Sequence, residues 1–281
     1  MTNFKQMKTG LLTGLLVLSL GSSAAYAGVG GSNAAIKAAV AAGSTDAILA
    51  EIERSEGLIC TECVDTVTAL TDHNSYVVRE AAAWWFAKRP SLATMMTAQM
   101  VDDLALPDSR KVRNAADFIG SARSFDAIGA LATAMSRTDI NAEAKLAIVR
   151  AVGVMGKKSG NPVLAAGMQN PDAGVRTQAL LAWRDMRGQS DAAPVVTLLG
   201  DADAAVRSEA ATVIGSFKQS NARAMLEQLV VQDGNAVVRR NAAWALGKIG
   251  DRASRVALTT ASQDKSPLVS GVARAALVSL K

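Results

Sequence analysis

The chain of 281 residues has one histidine, two cysteines, six prolines and only 4% aromatic residues. A single histidine excludes metal sites built from several histidines within one copy of the chain. Basic side chains number 30 and acidic ones 25, a net charge of +5 with no run of one sign. That balance argues against a dedicated nucleic-acid reader. The apolar run from Leu11 to Leu20 has only about half of the ~20 residues that a membrane span needs. No later stretch is longer, so no span is expected in the mature chain. Wholesale disorder is excluded by a hydrophobic content of 49%.

What is present begins with an address. Lys5 and Lys8 precede the apolar run without an acidic residue, and Ala25-Tyr26-Ala27 places small residues at the two positions a signal peptidase reads. Residues 1–27 therefore read as a secretory signal peptide, and export to a bacterial periplasm is expected. No cysteine follows directly, so a lipoprotein anchor is not suggested. An oxidising destination favours a disulfide between the two cysteines.

The remainder is periodic. Phrases such as VVREAAAWWFA, AVRSEAATVIG and VVRRNAAWALGKIG align on one anchor position, occupied by Arg79, Arg113, Lys145, Arg176, Arg207, Arg239 and Ser270. The anchors recur about 31–34 residues apart, a period typical of helical repeats. After each anchor, apolar residues at offsets three, four, six, seven and ten make the stripe of one helix face. From Arg239 these are Ala242, Ala243, Ala245, Leu246 and Ile249.

Four residues before each anchor stands a potential N-cap: Ser75, Ser109, Asn141, Asp172, Asp203, Asn235 and Ser266. The second repeat fits its stripe better with the anchor at Val112, which would make Asp108 the cap. Shorter apolar segments (Phe125–Met135, Pro162–Met168, Ala192–Leu199, Ala222–Val231) read as the preceding helix of each unit. A helix pair this small cannot bury its own apolar face, and stacking neighbours closes the core. Residues 28–57, with Ser32 and Ser44 as further caps, are expected to form an N-terminal helical cap. Residues 58–281 make the repeats, and Arg274 at a normally apolar offset suggests a polar outer face on the last one.

The D-x-x-V-R-x-x-A-A-x-A-L-G-x-I-G pattern resembles the HEAT-like repeats first described in phycobilisome lyases. Ala236 to Gly250 matches it throughout, with Asn235 where the family has aspartate, and Asp203 to Gly215 matches nearly as well. The resemblance covers roughly residues 58–281 and implies an all-α, right-handed α-solenoid of about seven repeats. Such repeats serve many unrelated partners. It also implies that the anchor arginines form a stacking ladder with acidic residues such as Asp172 and Asp203. Relatives of the deoxyhypusine-hydroxylase type hold a di-iron centre with His-Glu pairs. Here His73 is followed by Asn74, which excludes that chemistry for this chain. Nothing points to a bound tetrapyrrole, and no cofactor or metal is implied.

Two features remain that could carry function. Cys60-Thr61-Glu62-Cys63 spaces two sulfurs for one helix face at the start of the first repeat. A structural disulfide is the leading reading, with thiol-disulfide chemistry and metal binding as alternatives. No βαβ setting surrounds it, and Val64 stands where covalent haem attachment would need histidine. Offset five, off the core stripe, carries Trp84 and Trp244, each a candidate partner contact or a cover for a gap between layers. Five repeats at roughly 10 Å per layer place them ~50 Å apart, too far for one patch. Lys88, Arg89, Arg240, Lys248 and Arg252 suggest a mildly basic inner face able to steer an acidic partner. The expectation is an exported, non-catalytic scaffold for a protein or peptide of the cell envelope, with Trp84, Trp244, Lys88, Arg240 and Lys248 as contacts. The alternative is a redox or cofactor-handling accessory working through Cys60 and Cys63.

Overall fold

The computed structural model describes residues 31–58 and 60–280. The signal peptide expected over residues 1–27 lies outside the described residues. Helices follow one another in pairs, beginning with α1 (Asn33–Ala41) and α2 (Thr45–Arg54), which Ser32 and Ser44 cap as expected. The first helices of later pairs are α3 (Cys63–Leu70), α5 (Pro90–Asp103), α7 (Ile128–Ser136), α9 (Asn161–Gly167), α12 (Arg223–Gln232) and α14 (Arg255–Ala261). Their partners are α4 (Tyr76–Ala87), α6 (Ser109–Ser121), α8 (Ala142–Met155), α10 (Ala173–Asp185), α11 (Ala204–Phe217), α13 (Ala236–Ile249) and α15 (Pro267–Ser279). These seven pack side by side in chain order as one layer. Among the described residues there is no strand. The fold is an all-helical α-solenoid.

One first helix departs from expectation. Ala193–Gly200 is a 3₁₀ segment rather than an α-helix. Pro194 removes a donor, and Val195, Val196 and Thr197 are consecutive β-branched residues, which crowd an α-turn. The apolar stripe itself is where the period places it. In α8, Ile148, Val149, Ala151, Val152 and Met155 are all buried, and in α11 Ala210, Ala211, Val213 and Ile214 are.

Asn141, Asp172, Asp203 and Asn235 each accept a backbone N–H of their helix's first turn. Ser75 and Ser266 hold the cap position without a side-chain bond. In the second repeat Asp108 is the cap, accepting from the N–H groups of Arg110 and Lys111, and Val112 is the fully buried anchor. Ser109 instead accepts the Asn141 N–H of the next repeat at 3.0 Å. Arg113 is thus one position off the anchor. It pairs with exposed Glu143 at 2.6 Å, and one of its Nη atoms is buried without a partner.

The anchor arginines do form a ladder, with different acids from those expected. Arg176 Nη1 donates to the carbonyls of Asn170 and Pro171, while Nε and Nη2 grip Asp201 at 2.8 and 2.7 Å. Arg207 repeats this on the carbonyls of Asp201 and Ala202 and on the Asp233 carboxylate. Arg239 does so on Asp233, Gly234 and the Asp264 carboxylate. Each carboxylate belongs to the residue two before the next cap, and accepts that cap's N–H at 2.7–2.8 Å. Asp172 and Asp203 cannot serve, because their oxygens already face the first turn of their own helices.

Two rungs are altered. Lys145 reaches only the Met135 carbonyl, at 3.0 Å, because Asn170 stands where the later rungs have aspartate. Burial pushes its ammonium pKa down. With Val112 at the second anchor, Arg137 supplies the guanidinium from the adjoining loop. It donates to the Leu104 and Leu106 carbonyls and pairs with Asp139, two before the Asn141 cap.

Small residues set the close approach within the layer. A Cβ on Gly120 would lie 2.5 Å from the Ala151 Cα, and one on Gly247 would lie 2.8 Å from the Ala276 Cβ. The same offset in α15 holds Val278, which is 87% exposed; Val256 at 77% and Leu268 at 66% are further exposed apolar residues of the last pair. The outer face of the last pair is therefore mixed: Arg274, at a normally apolar offset, is exposed as expected, as are Arg255, Thr259 and Thr260, together with these apolar side chains.

Removing a rung leaves a carboxylate and two carbonyls without their donor. Arg207→Ala is expected to cost about 2 kcal/mol in urea unfolding. Arg137→Ala is expected to lower the unfolding midpoint clearly. Arg113→Ala is expected to cost less than about 1 kcal/mol, its counter-ion being exposed.

Candidate functional site

The layer of second helices carries its offset-five side chains in one row: Trp84, Asp117, Arg150, Leu181, Thr212, Trp244 and Ala275. Both tryptophans are half-buried against the core, and each carries a lysine one turn on. Lys88 sits 5.2 Å from the Trp84 ring centroid and Lys248 5.5 Å from that of Trp244. Trp244 also leans over the preceding helix, where a Cβ on Gly215 would meet its ring at 2.5 Å. Trp244 thereby covers a gap between layers while leaving part of its ring accessible.

The basic residues are less free than their sequence positions suggest. Lys88 pairs with Glu56 at 2.8 Å, and Arg240 donates from Nε to Asn241 Oδ1 at 2.9 Å. Arg89 is not a surface contact at all. Its guanidinium lies 3.6 Å from the Trp85 ring centroid and donates to the carbonyls of Trp85, Ser55, Glu56 and Leu58. Burial lowers its pKa. Lys248 is exposed.

Between repeats one and three lies a polar cluster that sequence reasoning missed. The fully buried Asp117 carboxylate bridges Arg79, at 2.6 and 3.2 Å, and Arg150, at 2.5 and 3.1 Å. Arg79 also clasps the His73 and Asn74 carbonyls, as a ladder arginine does. Arg150 covers the Tyr76 ring at 4.6 Å. Burial, and then the Asp117 charge, push the neighbouring Glu80 carboxyl up. Charge at offset five in two consecutive repeats, Asp117 and Arg150, was the available signal.

Cys60 and Cys63 are bonded to one another in the structure. They do not share a helix face as expected: Cys60 lies in the turn before α3, and Cys63 is the helix's first residue, because the bond closes across Thr61 and Glu62. Cys63 is fully buried, whereas Cys60 is half-buried and lines an open cleft of about 530 Å³ with Glu56, Leu58, Val64, Lys88 and Leu92. His73 lies apart from it, its Nδ1 accepting the Ser75 N–H at 3.0 Å. No cluster of three or more metal-ligating side chains occurs among the described residues, and none of their helices is long and apolar enough to cross a membrane.

Residues 192–280 match the family of HEAT repeats. Deoxyhypusine hydroxylase-B of Oryza sativa subsp. japonica is 34% identical over 107 residues, 38% of this chain. The match spans 35% of that curated relative's length. Among solved structures, the YibA protein of E. coli superposes with a TM-score of 0.54 at 14% identity, covering 86% of this chain and 91% of that one. An engineered protein gives 0.52 at 18% identity, covering 89% and 81%. These likenesses agree with the stacked helix-pair fold.

Asp117→Ala is expected to cost roughly 3–5 kcal/mol, since two guanidinium groups lose a buried counter-ion together. Thermal unfolding of that variant beside the wild type checks it.

Proposed function

We propose that the chain is an exported, non-catalytic scaffold with HEAT-like repeats of the phycobilisome-lyase type. It binds another protein or peptide in the periplasm or assists assembly of an envelope complex. The observation that carries this reading is the ladder. Guanidinium groups fix each loop to the next, so the second helices form a preorganised layer that gives up little conformational entropy on binding. Trp84 and Trp244 supply rigid, partly exposed aromatic area on that layer, and Lys88, Arg240 and Lys248 border it with positive charge. Export rests on the composition of residues 1–27.

A second reading, a redox accessory working through Cys60 and Cys63, is favoured by one observation. One sulfur of the pair, that of Cys60, belongs to a residue lining a cleft, while Cys63 is buried behind it.

Protein isolated from its own cell envelope is expected to begin at Gly28 by intact mass and to bring a partner protein with it. Trp84→Ala and Trp244→Ala are each expected to weaken that partner about tenfold. Unchanged affinity in both variants would count against these contacts, and a retained N-terminus would count against export.

A further inference from the structure

The two cysteines differ in what can reach them. Cys63 is fully enclosed among core residues, while Cys60 faces the cleft. The cleft's size falls within the ~300–1,000 Å³ of small-ligand sites. Its floor is apolar, from Leu58, Val64 and Leu92, and Lys88 stands exposed at its edge. It is also held in shape. Arg89 ties the 55–58 segment to the end of α4 through four carbonyls, so the cleft wall does not depend on the disulfide alone.

We infer that Cys60–Cys63 is a thiol-disulfide exchange site in which Cys60 is the sulfur attacked and Cys63 the sulfur released. The substrate is a dithiol peptide segment with an apolar side chain beside its cysteine. This rests on the redox reading above and deepens it. In the first step a partner thiolate forms a bond to Cys60 Sγ, and the electron pair of the Cys60–Cys63 bond passes to Cys63. In the second, another thiolate of the same partner attacks the partner sulfur held by Cys60, forming the partner's disulfide and releasing the Cys60 thiolate. The partner is oxidised by two electrons, the protein is reduced, and the two thiol protons pass to solvent or to the released thiolates.

The burial asymmetry gives this order. An outside nucleophile meets Cys60 first, and the buried Cys63 is shielded from reagents while it waits to re-form its bond. Cys63 is also the first residue of α3, and Glu62 before it makes no side-chain cap. The positive end of that helix lies at the released thiolate, offset in part by Asp65 in the same turn and by the Cys63 and Val64 N–H groups, which already bond the Cys60 and Thr61 carbonyls. Lys88 at the edge favours an incoming thiolate, offset in part by its partner Glu56.

The test uses the full mature chain. Cys63→Ser, which leaves Cys60 alone, is expected to take up glutathione from oxidised glutathione at least about tenfold faster than Cys60→Ser, read by intact mass. Equal rates, or faster uptake by Cys60→Ser, would overturn the assignment. A measurement on the wild type avoids dependence on how the variants fold. The oxidised protein is mixed with a leucine-flanked two-cysteine peptide, quenched in acid and digested. A mixed disulfide mapped to Cys60 supports the inference, and one mapped to Cys63 overturns it while leaving the redox reading standing. If the oxidised protein leaves that peptide reduced, both fall.

Discussion

Three successive units of this chain depend on a guanidinium group that serves two repeats at once. One nitrogen of Arg176, Arg207 or Arg239 holds two carbonyls of its own loop, and the other two hold the carboxylate that begins the next loop. Planar, forked donors suit this task, because the bidentate grip fixes direction as well as distance. A helix pair of about 30 residues has too little core to hold itself, so stability comes from neighbours. The ladder adds a polar constraint to that apolar stacking. It sets the register of one pair on the next, and the Gly–Ala approaches at Gly120 and Gly247 then bring helix backbones close together.

Departures from the ladder show what the constraint demands. Where Val112 replaces the arginine, Arg137 brings a guanidinium to the same loops from another position. Where Asn170 replaces the carboxylate, the anchor is Lys145, which fills one carbonyl and needs no acid there. At the N-terminal end Arg79 keeps its carbonyl clasp but turns to Asp117, which it shares with Arg150. The surface that results is uneven, with tryptophan at the first and sixth positions of the offset-five row and a charge cluster between them. That pattern suits a platform with separated contact points better than one continuous groove.

Much of the fold was legible because its period is written in the apolar stripe and the caps. Ala242, Ala243, Ala245 and Leu246 announce the buried face of α13 in any alignment of the phrases, and Asp108 could be preferred to Ser109 from the stripe alone. The ladder's acids were not legible. Asp203 and Asp201 lie two residues apart in one loop, and only backbone geometry decides which one faces its own helix and which faces Arg176. The 3₁₀ form of Ala193–Gly200 turns on a balance between proline, β-branched residues and helix-like apolar content that spacing does not resolve. Arg89 looked like surface charge because nothing in sequence marks the four carbonyls that enclose it. For the cysteines, the motif indicated a bond but not which sulfur faces the cleft, since that depends on where α3 begins.

The central claim is that these arginine–aspartate rungs hold the stack together, and a carboxyl NMR titration of the folded protein tests it most directly. Burial raises the carboxyl pKa of Asp201 and Asp233, but the gripping arginine and the cap N–H outweigh it and leave both below the ordinary value. For Asp264 the Arg239 hydrogen bond leads and the direction is the same. A carboxyl held low contributes stability that is fully present above its unfolded pKa of about 3.9 and is lost as pH falls through the lower folded value. The account predicts that all three aspartates titrate below the ordinary range and that the repeats they join unfold as they do. Ordinary titration of all three, with the stack intact through it, would contradict it.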